Sequence, residues 1–416
     1  MRPNNALQPH GERIVWIDQL KGIAFFFVIL GHLSLAPLFK SWVFSFHMPV
    51  FFFATGCTYN IEKILRTPFS DYLRKLSRRM LIPYVWMQLL CVTLRYLALA
   101  RIKHKEVPVG TYLLGILAGD SNLADAPSNP LYFVLLLFAA EVVLFLLVKL
   151  TQGDFKRIAL FSAVLLPFSL LSQKVHTPWH LNAVPAVIVM ILLGHLLMRL
   201  YLAQREKLET LAPVQYIALI AALFSVGVLL WYFNGRFGLH GNQYGTDFLG
   251  SIAAAVSTSI AFALVLMKLP KVRVLTFVGQ NTLLYMGLHK PILLVFEALF
   301  PAWKERQWFV WVTAVLCYVL LIPVTLLAEK FAPFVLGKES LRSDLVSRVC
   351  EVLCVIGATC VPYLSFVNHF HGGILRSGVL MLLLAAVLYL LLVAGLWYVC
   401  RTKLRFPFLP KQERSA

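Results

Sequence analysis

Lys21-Gly22-Ile23-Ala24-Phe25-Phe26-Phe27-Val28-Ile29-Leu30-Gly31-His32 opens on a cation, continues as a hydrophobic run and closes on an imidazole. At about 100° and about 1.5 Å per residue, this spacing makes roughly three helical turns and roughly 16 Å. Lys21 and His32 therefore share one helix face, and Asp18, one turn earlier, joins them. An acid, a cation and a histidine thus line up along one predicted membrane helix. Ionisable groups at membrane depth are costly and face a cavity or a partner, so the column marks a candidate functional site.

The surrounding chain has the same character. Its 416 residues are 59% hydrophobic and 14% charged, with a mean hydropathy of +0.76. A soluble protein of this length carries far more charge. The sequence predicts an all-α, polytopic membrane helical bundle of about 10–12 transmembrane helices. Spans are expected near 15–37, 42–60, 80–100, 131–150, 158–173, 183–200, 214–233, 247–267, 278–300, 308–328, 345–366 and 376–400. The run at 158–173 is short and holds Pro167, and 111–119 is too short to cross. The expected division is a core over 1–343, two further helices in 344–400 and a short basic tail, 401–416. Polar residues precede the first run and no small-residue cleavage site follows it, so that run is expected to stay in the membrane rather than leave as a signal peptide.

The net charge of +19 would suggest nucleic acid in a soluble protein. Here the cations fall between apolar runs, which points to topology and anionic lipid headgroups, with no nucleic-acid partner. With a cytoplasmic N-terminus, most Lys and Arg fall in cytoplasmic segments. The opposite segments hold the lighter set of Lys40, Arg101/Lys103/Lys105, Lys174, Arg236, Lys304, Arg306 and Arg376. That bias predicts both termini inside. The seven cysteines show no metal-type spacing, so packing is their expected role and no metal is expected.

Several further residues can carry chemistry. His32 is either a satisfied bundle histidine or a general base for a hydroxyl nucleophile. Lys21 either stabilises an anion as a point charge or pairs with Asp18. In Phe46-His47-Met48-Pro49, His47 is either an interfacial histidine or part of an acceptor site at the outer mouth. Arg74-Lys75-Leu76-Ser77-Arg78-Arg79 is either a positive-inside anchor or a polyphosphate cradle, with Lys75, Arg78 and Arg79 foremost. Glu141 in mid-span is paired or functional. In His176-Thr177-Pro178-Trp179-His180, the ring of Trp179 and the imidazole of His180 either face a sugar or belong to an interfacial belt. Asn281 and His289, within Gly279–Pro291, are polar and deep in the ninth span.

Taken in order, these motifs resemble the acyltransferase-three family, integral-membrane O-acyltransferases of cell-envelope carbohydrates. The resemblance rests on Arg13-x-x-x-x-Asp18-x-x-Lys21-Gly22, Leu30-Gly31-His32, Phe46-His47-Met48-Pro49 and Phe51-Phe52-Phe53-x-x-Gly56. It continues through the basic cluster before Pro83-Tyr84, Leu131-Tyr132-Phe133, Gly194, Gly279-x-Asn281-Thr282-Leu283 and His289-x-Pro291. Within the family the chain looks most like the fucose-O-acetylase branch. The resemblance implies transfer of an acyl group, acetyl foremost, from acyl-CoA to a sugar hydroxyl of a carbohydrate or glycolipid acceptor in a bacterial inner membrane. It implies catalytic roles for His32 and Lys21 and donor contacts from Lys75, Arg78 and Arg79, and the residues themselves add Asp18, expected beside Lys21 to orient the donor or stabilise charge. From the reading of the residues themselves, acceptor contacts are expected from His47, Glu141, Trp179, His180, Asn281 and His289. Two departures stand out. Lys21 replaces the usual arginine, and the arginine-x-x-arginine motif is here Lys75-x-x-Arg78 or a shifted set. A transporter or flippase of an envelope lipid or glycan is the rival, although no pair of matching broken helices is visible.

Overall fold

The computed structural model describes residues 13–96, 115–117, 119, 129–173, 177–331 and 336–337. The spans expected at 345–366 and 376–400, the basic tail and His176 lie outside the described residues. The chain is a helical bundle: α1 (Val15–Gly31), α2 (Pro37–Phe46), α3 (Pro49–Cys57), α4 (Ile61–Arg66) and α5 (Phe69–Tyr96) come first. Next are α6 (Tyr132–Leu150), α7 (Phe155–Leu171), α8 (Val184–Thr210) and α9 (Pro213–Asn234). A two-stranded antiparallel hairpin, β1 (Phe237–Gly238) and β2 (Gln243–Tyr244), then leads to α10 (Phe248–Lys268). The series closes with α11 (Arg273–Gln280), α12 (Thr282–Leu299) and α13 (Gln307–Phe331).

Local chemistry sets the ends. Asn60, Asp154 and Asp247 accept backbone N–H groups at the starts of α4, α7 and α10, satisfying donors that a helix leaves open. Proline opens α2, α3 and α9, where its missing N–H costs nothing.

Among the described residues, six helical segments are long and apolar enough to cross a membrane: α6, α8 with the turn before it, α9, α10, α12 and α13. The protein is a multi-pass, all-α membrane protein. At 17 residues each, α1 and α7 reach only about 26 Å. The expected span at 42–60 is instead two short helices meeting at His47-Met48. Pro49 removes a backbone donor at that junction, so the hydrogen-bond ladder does not run through. The third span also starts earlier than expected: α5 begins at Phe69, so the basic cluster is helical rather than a loop before the helix.

Helix α1 lies at the centre, packed on α2, α3, α10, α11, α12 and α13. Two crossings bring backbones together. A Cβ at Gly22 would stand 2.3 Å from Leu275 O on α11, and one at Gly279 would stand 1.8 Å from Asp18 O. The α3–α8 crossing has the same form, with Gly56 against Ile191 O and Gly194 against Phe53 O. Small residues at membrane helix interfaces allow such approach.

Helix α13 runs antiparallel to α1. Gln307 donates to Ser34 O (3.0 Å) at one end, and Tyr318 donates to Gly22 O (3.0 Å) further along. Beyond α13, Gly337 lies against Arg78 O. The basic stretch of α5 therefore sits at the Lys21 end of α1, and His32 sits at the other end.

Candidate functional site

His32 is the C-cap of α1, its backbone N–H bonded to Ile29 O (3.1 Å). It is not in mid-helix, and its side chain is exposed, unlike the apolar residues before it. The His289 ring of α12 faces it, with centroids 5.1 Å apart. His289 is fully buried, and Phe25 of α1 packs edge-on against it at 5.4 Å. Nδ1–H of His289 donates to Tyr285 O, one turn back, at 3.0 Å. A carbonyl accepts only from an N–H, so in the neutral ring Nε2 is left as an acceptor. That buried Nε2 has no hydrogen-bond partner among the described residues.

His47 repeats the pattern at the α2–α3 junction. It is buried and its Nδ1–H donates to Val43 O at 2.7 Å. Lys40 donates to Leu33 O (2.9 Å), next to His32 in the chain. The groups acting electrostatically on His32 are His289, Lys290, His47 and Lys40. The His32 end thus gathers residues from α1, α2, the α2–α3 break and α12.

Asp18 and Lys21 do not join this group. They form an ion pair of 2.7 Å at the far end of α1. Gln280 of α11 donates to the second carboxylate oxygen of Asp18 at 3.1 Å. Asn281, between α11 and α12, is buried and donates to Phe277 O at 3.1 Å.

Lys75, Arg78 and Arg79 share one face of α5, by their spacing of three and four residues. Lys75 and Arg79 are exposed and Arg78 is half-buried. Arg79 is tied to α6: its Nη2 donates to both oxygens of buried Glu141, at 2.7 and 2.9 Å. Tyr72 donates to Glu141 Oε2 at 3.1 Å and stacks on Phe145 at 4.4 Å. Glu141 is therefore a paired carboxylate. Arg78 Nε is buried without a hydrogen-bond partner among the described residues, and Lys75 beside it is open. A free guanidinium donor next to an open ammonium fits a phosphate-bearing ligand.

Trp179 and His180 are buried in a short turn ahead of α8 rather than open on a loop. Trp179 donates to Leu117 O at 2.8 Å. Both carry positive φ (55° and 52°), an uncommon conformation for residues with side chains that often marks functional turns. His180, Tyr132 and His240 form a ring cluster with centroids 4.8 to 5.2 Å apart.

Sequence reasoning left Lys40, Lys290, Arg236 and His240 outside the site. Lys290 adjoins His289, which was a usable signal. The other three are reached only through the fold. Among the described residues Cys57, Cys91 and Cys317 form no disulfide, and no group of three or more His, Cys, Asp or Glu is placed to hold a metal.

The acyltransferase-three family model, described as an acyltransferase domain, matches residues 14–328. That stretch runs from the residue before α1 almost to the end of α13. No curated protein matches the chain, and no solved structure does.

Proposed function

The chain belongs to the acyltransferase-three family, and on that premise we propose that this membrane acyltransferase moves an acyl group, acetyl foremost, from acyl-CoA to a hydroxyl of a cell-envelope carbohydrate or glycolipid. The observation that carries this reading is the His32–His289 pair, an open imidazole beside a buried one with its tautomer held by Tyr285 O.

His32 takes the proton of the acceptor hydroxyl as general base. The oxygen attacks the thioester carbonyl, the C–S bond breaks and the proton leaves with the coenzyme thiol. In the covalent variant His32 attacks first and carries the acyl group as an acyl-imidazole, which the hydroxyl then cleaves.

Lys75 and Arg78 hold the coenzyme phosphates at the Lys21 end, with Arg79 held beside them by Glu141. The separation from there to His32 exceeds any side chain and suits the pantetheine arm of coenzyme A. Asp18 and Lys21, paired to each other, fix α1 against α11 along that route. His47, Trp179 and His180 belong to the acceptor side, and Asn281 to the α11–α12 joint. The setting is a bacterial inner membrane with both termini cytoplasmic.

The test is transfer from labelled acetyl-CoA by purified protein, wild type beside His32→Ala, with succinyl-CoA as second donor. Donor use by the wild type alone is expected, and label retained on the wild type selects the acyl-imidazole route. A fully active His32→Ala protein overturns the role of His32. A wild type inert to both donors overturns the enzyme reading and moves weight to the transporter.

A further inference from the structure

Around His32 and His47 the structure gathers cations that topology does not require. Lys40 is half-buried on α2, its ammonium anchored on Leu33 O. Phe44 lies one turn further along α2, on the same face, and its ring is 5.0 Å from that of His47. Over Phe44, 4.2 Å from the ring centre, stands the guanidinium of Arg236. Arg236 sits in the turn between α9 and β1, exposed. Lys290 follows His289 and acts on both His32 and His289. Arg236 in turn acts on both Lys40 and His47.

Glu297 of α12 is the carboxylate that acts on Lys40. Neither Lys40 nor Arg236 has an ion pair within 4.0 Å among the described residues. Positive charge in membrane proteins concentrates on one side. This chain already meets that rule at the Lys75–Arg79 end. Lys40 and Arg236 belong to the lighter side, so the rule does not account for them. Bringing Lys40 and Arg236 together without an ion pair is costly, and a surface rimmed by one sign of charge concentrates ligands of the other.

We propose that the acceptor is an anionic glycan or glycolipid, whose carboxylate or phosphate is held by Lys40 and Arg236 while its hydroxyl meets His32. This rests on the acyltransferase reading. Coenzyme phosphates are the other anion in such a reaction, but their cations lie at the opposite end of α1. Donor and acceptor then approach from opposite ends, each met by positive charge.

The test uses the full chain in phosphatidylcholine nanodiscs, with binding read by calorimetry and so independently of turnover. The probes are a glucuronic-acid oligosaccharide, a neutral glucose oligosaccharide of equal length and a sugar phosphate. At least one acidic probe is expected to bind about tenfold or more tighter than the neutral one, with added salt weakening the difference. Preference for the uronate identifies a carboxylate, and preference for the sugar phosphate identifies a phosphate. The Lys40→Gln/Arg236→Gln double variant is expected to lose the preference. Lys40→Arg/Arg236→Lys, which keeps charge and changes shape, is expected to retain it, as a purely structural role would not. Lys207→Gln, exposed on α8, serves as control, and melting temperature checks folding throughout. Equal affinity for acidic and neutral probes overturns the proposal, as does an acidic preference unchanged in the double glutamine variant. Displacement of the acidic probe by coenzyme A also overturns it, because the rim would then belong to the donor. Acyl transfer to neutral sugars without acidic preference sinks this inference and leaves the acyltransferase reading standing. Acidic preference without any acyl transfer does the reverse.

Discussion

His289 holds its ring centroid 5.1 Å from that of His32, while its own Nδ1–H is committed to Tyr285 O. A buried, orientated imidazole beside an exposed one separates two tasks. In the proposed reaction the His32 ring meets reactants, while that of His289 sets local polarity and offers an acceptor at Nε2. The relationship joins α1 to α12 across more than 250 residues of sequence, and it governs the first two predictions.

Replacing His32 by Ala is expected to lower acyl transfer by about 10²–10⁴-fold, the usual range for a lost general base. The melting temperature should hardly move, because His32 is an exposed C-cap. Donor consumption and a thermal melt on the same preparation check both halves.

His289 is expected to act by positioning. Its Asn variant can keep the donor to Tyr285 O but offers nothing in place of Nε2. We expect His289→Asn to retain its fold and lose about 10–100-fold in kcat, with KM for acyl-CoA little changed. A proportional rise in KM instead would assign His289 to donor binding.

The Arg79–Glu141 pair is asymmetric: the Arg79 side chain is 60% exposed and that of Glu141 only 6%. Arg79→Ala leaves a buried carboxylate without its cation and is expected to cost about 2 kcal/mol or more, discounted from a fully buried pair. Glu141→Gln leaves an arginine already open to solvent and is expected to cost about half as much. Thermal melts in nanodiscs give the order, and a reversed order would show that the pair does not hold α5 on α6. Donor affinity should fall in Arg78→Gln as well, since its buried Nε awaits a partner.

At the α3–α8 crossing, a Cβ on Gly56 would lie 1.9 Å from Ile191 O and one on Gly194 would lie 2.2 Å from Phe53 O. Both contacts are with backbone, which cannot swing aside. Gly56→Ala and Gly194→Ala are each expected to cost about 3 kcal/mol, seen as loss of monodisperse protein on size exclusion. Gly31→Ala, where a Cβ comes no nearer than 3.4 Å, to the side chain of Phe44, should be milder.

Much of this molecule was readable from the chain. Helical bundle and membrane setting follow from composition and run length, because lipid leaves helices as the simplest way to satisfy every backbone group. The positions of α6, α9, α10 and α13 match the apolar runs closely, since long runs carry a strong signal. The ordered motifs named the family that the match over residues 14–328 shows. Less legible were the breaks. An apolar run over 42–60 reads as one span, and only packing reveals that Pro49 divides it and lodges His47 in the gap.

The predicted column on α1 shows where local reasoning stops. Helical periodicity predicts Asp18, Lys21 and His32 on one face, but a shared face is not a shared site. Lys21 bonds Asp18, and the partners of His32 come from α2 and α12. Glu141 likewise needed α5 beside α6 before its pairing with Arg79 could be known. Periodicity and hydropathy act over neighbouring residues, so the sequence by itself determined which segments are helical, which are apolar and which carry chemistry. Contacts between distant segments depend on how helices cross. Only the tertiary structure, through the glycine crossings that let α1 meet α11 and α3 meet α8, decided which of those chemical groups face one another.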